Sequence, residues 1–330
     1  MSRLPPWATL PALALGVIGA GVLVAAADPE PASPGAPTPA AVPAPELPAG
    51  AERFGLEHWA FSPAAARGRT VYERFCIGCH GPAGLGDGPA AEWLDPRPRN
   101  FQKGAFKFRT TPSGELPRLA DVVHVVNCGL TGSAMRGFPL LPEPSKNDVA
   151  AYVLSLAEFG LVKQEVDDVM EDDDLSLQEV LDDEYEELKA EVLEYAYELV
   201  WPVSMERRPT MNSASVERGR VLYEAQCTAC HGATGVGDGP SSFHLRDWKD
   251  APIRPRDFTT GVFRAGSSPE DIFLRMRTGL NGTPMPAVAG SDDDLWDITH
   301  YIMRLVDDSR PAVVHPASCE AHAASRSTAR

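Results

Sequence analysis

The feature that most restricts this chain is a short pattern, Cys-x-x-Cys-His, which occurs twice inside a longer repeat. Cys76, Cys79 and His80 form the first copy; Cys227, Cys230 and His231 form the second, 151 positions later. The flanking sequence repeats at the same distance. Gly68-Arg-Thr-Val-Tyr72 matches Gly219-Arg-Val-Leu-Tyr223, and Gly86-Asp87-Gly88-Pro89 matches Gly237-Asp238-Gly239-Pro240. Arg97-Pro98-Arg99 and Phe101 match Arg254-Pro255-Arg256 and Phe258 at a distance of 157, so the second copy holds about six extra residues around 243–252. Gly129-Leu130 and Met135 match Gly279-Leu280 and Met285 at a distance of 150. A chain of 330 residues with such a repeat is long enough for two like domains and predicts them.

Close cysteine pairs can mean disulfides, a redox dithiol or a zinc site. The histidine that follows each pair selects another reading. Cys-x-x-Cys-His is the spacing at which haem c is attached. The two thiols add to the vinyl groups on one edge of the porphyrin, and the next residue then lies under the ring, where its imidazole can hold the iron. Two haem c groups are therefore expected, attached at Cys76 and Cys79 and at Cys227 and Cys230, with His80 and His231 on iron. Met135 lies 55 residues after His80, and Met285 lies 54 after His231. Each sits in a loop of small residues ahead of the last helix of its repeat. Both are expected as the opposite axial ligand; filling the core is the alternative use of a methionine. Thioether ligation favours ferrous iron, raises the potential and leaves no open axial position.

Each repeat begins and ends with an amphipathic helical pattern, and strand-type alternation is scarce, so the expected class is all-α. The final helices span Val149 to Leu156 and Leu295 to Leu305, with Tyr152 and Tyr301 inside them. Repeats this short and rich in loops have a thin core, which a porphyrin of large apolar area would supplement.

On these residues both repeats resemble class I c-type cytochrome domains, and the pair resembles a diheme cytochrome c. The likeness covers roughly 64–157 and 213–306. It implies an electron carrier rather than an enzyme, acting as a shuttle or as a cytochrome subunit of a respiratory complex. A diheme peroxidase would need a vacant position on one iron, which two methionines would fill. The resemblance also implies that the first and last helices of each domain cross, with Gly68 against Tyr152 and Gly219 against Tyr301. A proline carbonyl shortly after the motif would accept from the ligating histidine; Pro89 and Pro240 are the candidates. Arg97, Arg99, Arg254 and Arg256 suit planar carboxylates and are candidates for the haem propionates, against the alternative of solvated loop charge.

The rest of the chain divides by composition. Arg3 and the apolar run from Trp7 to Ala27, ending in three alanines before Asp28, read as an export signal or, uncut, as a membrane anchor over 1–27. The expected location is the periplasm or the outer face of the membrane. Residues 28–52 are rich in proline and alanine and read as a semi-rigid tether. The first domain is expected over 53–160, an acidic helical connector over 161–210, the second domain over 211–308 and a disordered tail over 309–330. Formal net charge is −16, and 17 acidic residues against Lys163 and Lys189 fall between Glu158 and Glu198. This balance excludes nucleic acid as a partner; the partners expected are redox proteins, one donor and one acceptor. In the connector, Leu177, Leu181, Tyr185, Leu188, Val192, Tyr195 and Leu199 recur every three or four residues and predict one helix of about 24 residues. Ser176 and Glu179 have capping-box spacing at its start. A haem domain of the same chain is expected to cover its apolar stripe, with Glu165 to Asp174 solvated and mobile. His124, His244, His300, His315 and His322 have no repeat partner and are not assigned to iron. Cys128 reads as a small buried residue, with a disulfide to Cys319, which falls in the tail, as the alternative.

Overall fold

The computed structural model describes residues 54–198 and 209–306; the expected leader, the tether, the whole of the tail with Cys319, and Leu199 lie outside the described residues. Among the described residues the regular elements are helices, with no strand. In the first repeat, α1 runs Pro63–Phe75, α2 Ile77–His80, α3 Leu119–Cys128 and α4 Glu143–Asp172. The connector holds α5, Leu177–Asp183, and α6, Tyr185–Tyr197. The second repeat contains α7, Ser213–Gln226, α8, Thr228–His231, α9, Pro269–Thr278, and α10, Asp292–Leu305. Local chemistry sets these starts. Ser62 caps α1 ahead of Pro63, and Asn212, Ser268 and Ser291 cap α7, α9 and α10 through their side chains.

The core of each repeat forms where its first helix crosses its last. The crossing is tighter than expected and differently composed. A Cβ on Gly68 would lie 1.9 Å from the Asp148 carbonyl oxygen, and one on Gly219 1.9 Å from that of Asp297. The glycines thus meet helix backbone rather than Tyr152 and Tyr301. Those tyrosines lie one turn further along, against Tyr72 and Tyr223, each with ring centroids 5.1 Å apart. The hydroxyls of Tyr72 and Tyr223 donate to the carbonyls of Gly81 and Gly232, both at 2.8 Å, which ties the crossing to the end of each motif turn. Arg67 forks onto Asp148 and Arg218 onto Asp297 across the same junctions.

The connector departs from the expected single helix. Helix α4 continues past the first domain to Asp172, so most of the acidic stretch expected to be mobile is helical. Its outward carboxylates alternate with Val162 and Val166, both fully buried. The chain then turns through Asp174 in the left-handed region, φ 53°, and Ser176 and Glu179 form a capping box that starts α5. A break at Glu184 separates α5 from α6. Leu177, Leu181, Tyr185, Leu188 and Val192 pack on Phe159, Val162 and Val166 of α4 and on Phe54 and Trp59. The cover of the stripe is therefore the extension of the domain's own last helix. Tyr195, at 76 % exposure, stands outside it.

Candidate haem-binding sites

Each motif folds as one tight helical turn. His80 N–H donates to the Cys76 carbonyl at 2.9 Å, and His231 N–H to that of Cys227 at 2.8 Å. Gly81 and Gly232, φ 75° and 76°, then reverse the chain, a conformation suited to glycine. The turn puts both cysteines and the histidine on one short segment, as attachment at one porphyrin edge requires. Burial, followed by the neighbouring thiol, pushes Cys76 and Cys227 up to about 11. Redox dithiols work with depressed values, so this environment does not suit dithiol exchange.

The two imidazoles are prepared in the same way. His80 stacks on Phe101 with centroids 4.5 Å apart and His231 on Phe258 at 4.6 Å. Burial holds His80 below the usual histidine range and His231 at about 4. Both are neutral at pH 7, the form that binds metal. His80 Nδ1 lies 3.2 Å from the Arg99 carbonyl oxygen, so that nitrogen carries the proton and Nε2 keeps its lone pair. The carbonyl is thus that of Arg99 and not of Pro89. The reason lies in the path of the chain. Gly88 N–H and Ala90 N–H donate to the carbonyls of Cys79 and Gly78, which holds the intervening Pro89 on the exposed outer side of α2. The segment ending in Arg99 returns beneath the histidine instead. Pro240 is exposed in the same way, and His231 Nδ1 is buried with no hydrogen-bond partner among the described residues.

The methionine loops close identically in the two repeats. Leu130 N–H donates to the Met135 carbonyl at 2.8 Å and Leu280 N–H to that of Met285 at 3.0 Å. The hydroxyls of Ser133 and Thr283 donate to the carbonyls of Leu130 and Leu280, both at 2.7 Å, and accept from the methionine N–H groups. Both methionines are half-buried.

The four arginines divide. Arg97 and Arg254 are exposed, Arg254 over the Phe243 ring, while Arg99 and Arg256 are half-buried. Lys107 and Arg264, at matched positions after Phe106 and Phe263, were missed by sequence reading. The signal was there: a cation follows an aromatic at the same distance of 157. Burial first, then Arg99 and Arg264, lowers Lys107 to about 8; burial lowers Arg99 to about 10, and burial followed by Arg256 lowers Arg264. Arg99 Nη1 and Arg264 Nε are buried without hydrogen-bond partners. A buried cationic cluster of this kind calls for anions. Two carboxylates on each of two haem c groups would answer it, so the residues fit the cofactor at both its attachment edge and its acidic edge. His124 and His300 are buried, His300 against the Ser215 hydroxyl at 3.0 Å, and His244 is exposed. Cys128 is half-buried and takes part in a disulfide, the alternative use, rather than standing as a plain buried residue.

Two helical domains, each built on a Cys-x-x-Cys-His turn and a closed methionine loop, define a diheme cytochrome architecture. Comparison with known proteins agrees. Residues 65–157 match the cytochrome c family, and residues 214–302 match the family of cytochrome c oxidase, cbb3-type, subunit III. Among solved structures the chain is similar to one from the Kuenenia stuttgartiensis reducing HAO-like protein complex Kustc0457/Kustc0458. The TM-score is 0.58 and the identity 36 %, over 75 % of this chain and 97 % of that one. No curated protein matches. The chain belongs to the diheme c-type cytochromes, and cytochrome c domains carry haem c.

Proposed function

We propose that this chain carries electrons between redox proteins through two His/Met-ligated haem c centres, held in the periplasm or at the outer face of the membrane. The observation that carries the reading is the matched closure of the Met135 and Met285 loops, in two domains that each hold a neutral histidine stacked on a phenylalanine. Haem c supplies one-electron iron chemistry when bound. The protein's part is to hold it. Cys76 and Cys79, and Cys227 and Cys230, would fix its edge. His80 with Met135 and His231 with Met285 would hold the iron, and Arg99, Arg256, Lys107 and Arg264 would balance its carboxylates. Iron held by two side chains in each domain would offer no place to a substrate, which is the ground for reading a carrier rather than an enzyme. The likeness to a chain of a redox complex supports a donor or acceptor that is itself a protein complex. The apolar run from Trp7 to Ala27 supports export; among the described residues no helix is long and apolar enough to cross a membrane.

The test is substitution of each methionine. Met135→His and Met285→His should each lower the potential of one centre and remove its share of the far-red absorption of sulfur-ligated ferric iron. Spectra unchanged by both substitutions refute the assignment.

A further inference from the structure

The two domains meet along a seam whose residues are related by the repeat. The Arg109 guanidinium, buried in the first domain, donates across it to the Thr278 carbonyl at 2.7 Å. Ser113 and Gly114 reach the Asn281 side chain, and Arg275 lies over the Phe108 ring at 5.7 Å. Within this seam, Arg99 and Arg256, equivalent residues of the two repeats, each extend into the other domain. A Cβ on Gly282 would lie 3.1 Å from Arg99 Nη1, and a Cβ on Gly132 3.8 Å from Arg256 Nη1. Gly132 and Gly282 are themselves equivalent, each three residues before the methionine of its loop. We infer that these arginines are exchanged between the domains, each tuning the redox centre of the opposite repeat by placing its charge against that repeat's methionine loop. The inference rests on the His/Met reading above.

The exchange is not symmetrical in strength, and the six extra residues of the second repeat explain why. They form a tight turn in which Asp247 N–H donates to the Ala251 carbonyl at 2.9 Å and Arg246 bridges to Pro252. The turn presents Trp248, whose N–H donates to the Gly282 carbonyl at 3.3 Å and whose indole lies 6.0 Å from the Arg99 guanidinium. Trp248 thus walls Arg99 against the Met285 loop. At the equivalent place beside Gly132, Val262 makes only ordinary contact distance. Asp247, in the same turn, offsets part of the Arg99 charge, and the wall of Trp248 keeps the rest beside the loop. A fixed cation beside a centre that gains an electron favours the reduced form. Removing Arg99 should therefore lower the potential of the centre in the second domain. Arg256 should act the same way on the first, less strongly. Both are positioning residues, since neither supplies an axial ligand.

The test is redox titration of the full-length, haem-loaded protein carrying Arg99→Gln or Arg256→Gln. Met135→His and Met285→His assign the two midpoints to their domains. Arg99→Gln should shift the reduction equilibrium of the second-domain centre by on the order of tenfold, 59 mV for one electron. Arg99→Lys should recover most of that shift. Arg256→Gln should move the first-domain centre by less. A shift confined to the substituted residue's own domain, or no shift in either, overturns the exchange. If scattering shows that Arg99→Gln separates the domains, Arg99→Lys decides: a wild-type second midpoint supports the exchange, and a displaced one overturns it. Wild-type protein without far-red absorption would instead defeat the His/Met reading, a distinguishable failure.

Discussion

Replacing Gly68 with alanine should destabilise the first domain by about 2–4 kcal/mol, although alanine is the better helix former. The added methyl would sit 1.9 Å from the Asp148 carbonyl oxygen, about 1.5 Å short of ordinary contact at 3.4 Å. The obstacle is backbone, so no rotamer change relieves it and α1 and α4 must separate. A radial gap of even about 0.5–1 Å forfeits a quarter to a half of each dispersion contact. The contacts at stake are those of Ala65, Tyr72, Val149 and Tyr152, all buried at this crossing. Overpacking of well-packed sites typically costs about 1–3 kcal/mol, and more where backbone must move. The gain in helix propensity returns at most about 1 kcal/mol. Gly78 supplies the control: nothing lies within 4 Å of its Cβ position, so Gly78→Ala should change stability by less than about 0.5 kcal/mol. Denaturant unfolding of the loaded protein, followed by far-ultraviolet circular dichroism, measures both. Equal midpoints for the two variants would show that the crossing is not the tight contact described.

Two other perturbations probe parts remote from that crossing. Val166→Asp would bury a carboxylate among Phe159, Val162 and Val180, at a cost of several kcal/mol; it should release α5 and α6 to protease while the visible spectrum of both domains stays unchanged, and undiminished protease resistance would contradict the packing. Burial first, then the Glu158 carboxylate that accepts from it at 2.6 Å, holds the Tyr197 hydroxyl well above its ordinary value of 10, so the unfolded chain loses this proton first as pH rises. The stability from this group should be full below about pH 10 and decline above it. A denaturation midpoint that is flat between about pH 9 and pH 11 would refute it.

How far the sequence discloses this molecule depends on where the repeat runs. Where both copies are present, pairs such as Tyr72 with Tyr223 and Met135 with Met285 are visible at once, because a feature seen twice at one distance needs no knowledge of packing. The connector occurs once, and there periodicity misleads. Spacings of three and four from Leu177 to Leu199 do not reveal the break at Glu184, since a helix can restart without losing its stripe. The helical state of residues up to Asp172 was legible in Phe159, Val162, Val166 and Val169, which continue the stripe of the domain's last helix. The density of carboxylates masked it. Charge on the outer face does not prevent a helix whose inner face is buried. Pro89 failed for a different reason: its position along the chain says nothing of which side of α2 the turn passes.

The cationic seam shows why function and fold are hard to separate here. Lys107, Arg99, Arg256 and Arg264 come from matched positions, and among the described residues Asp247 and Asp95 oppose Lys107, Arg99 and Arg264 in charge. An unpaired buried polar group costs about 1–3 kcal/mol, and more when charged, so as polypeptide alone this cluster opposes the docking of the domains. Arg109 and the Trp248 turn act in the other direction, fixing the domains together whether or not anions are present. A carboxylate-bearing group held on each side of the seam would offset that cost. On the haem c reading, attachment at Cys76, Cys79, Cys227 and Cys230 would make the offset permanent, since the acidic edge could not leave once the thiols had reacted. The extra residues of the second repeat wall Arg99 against the opposite loop, and on the inference above that wall is what would make two like domains unequal in potential.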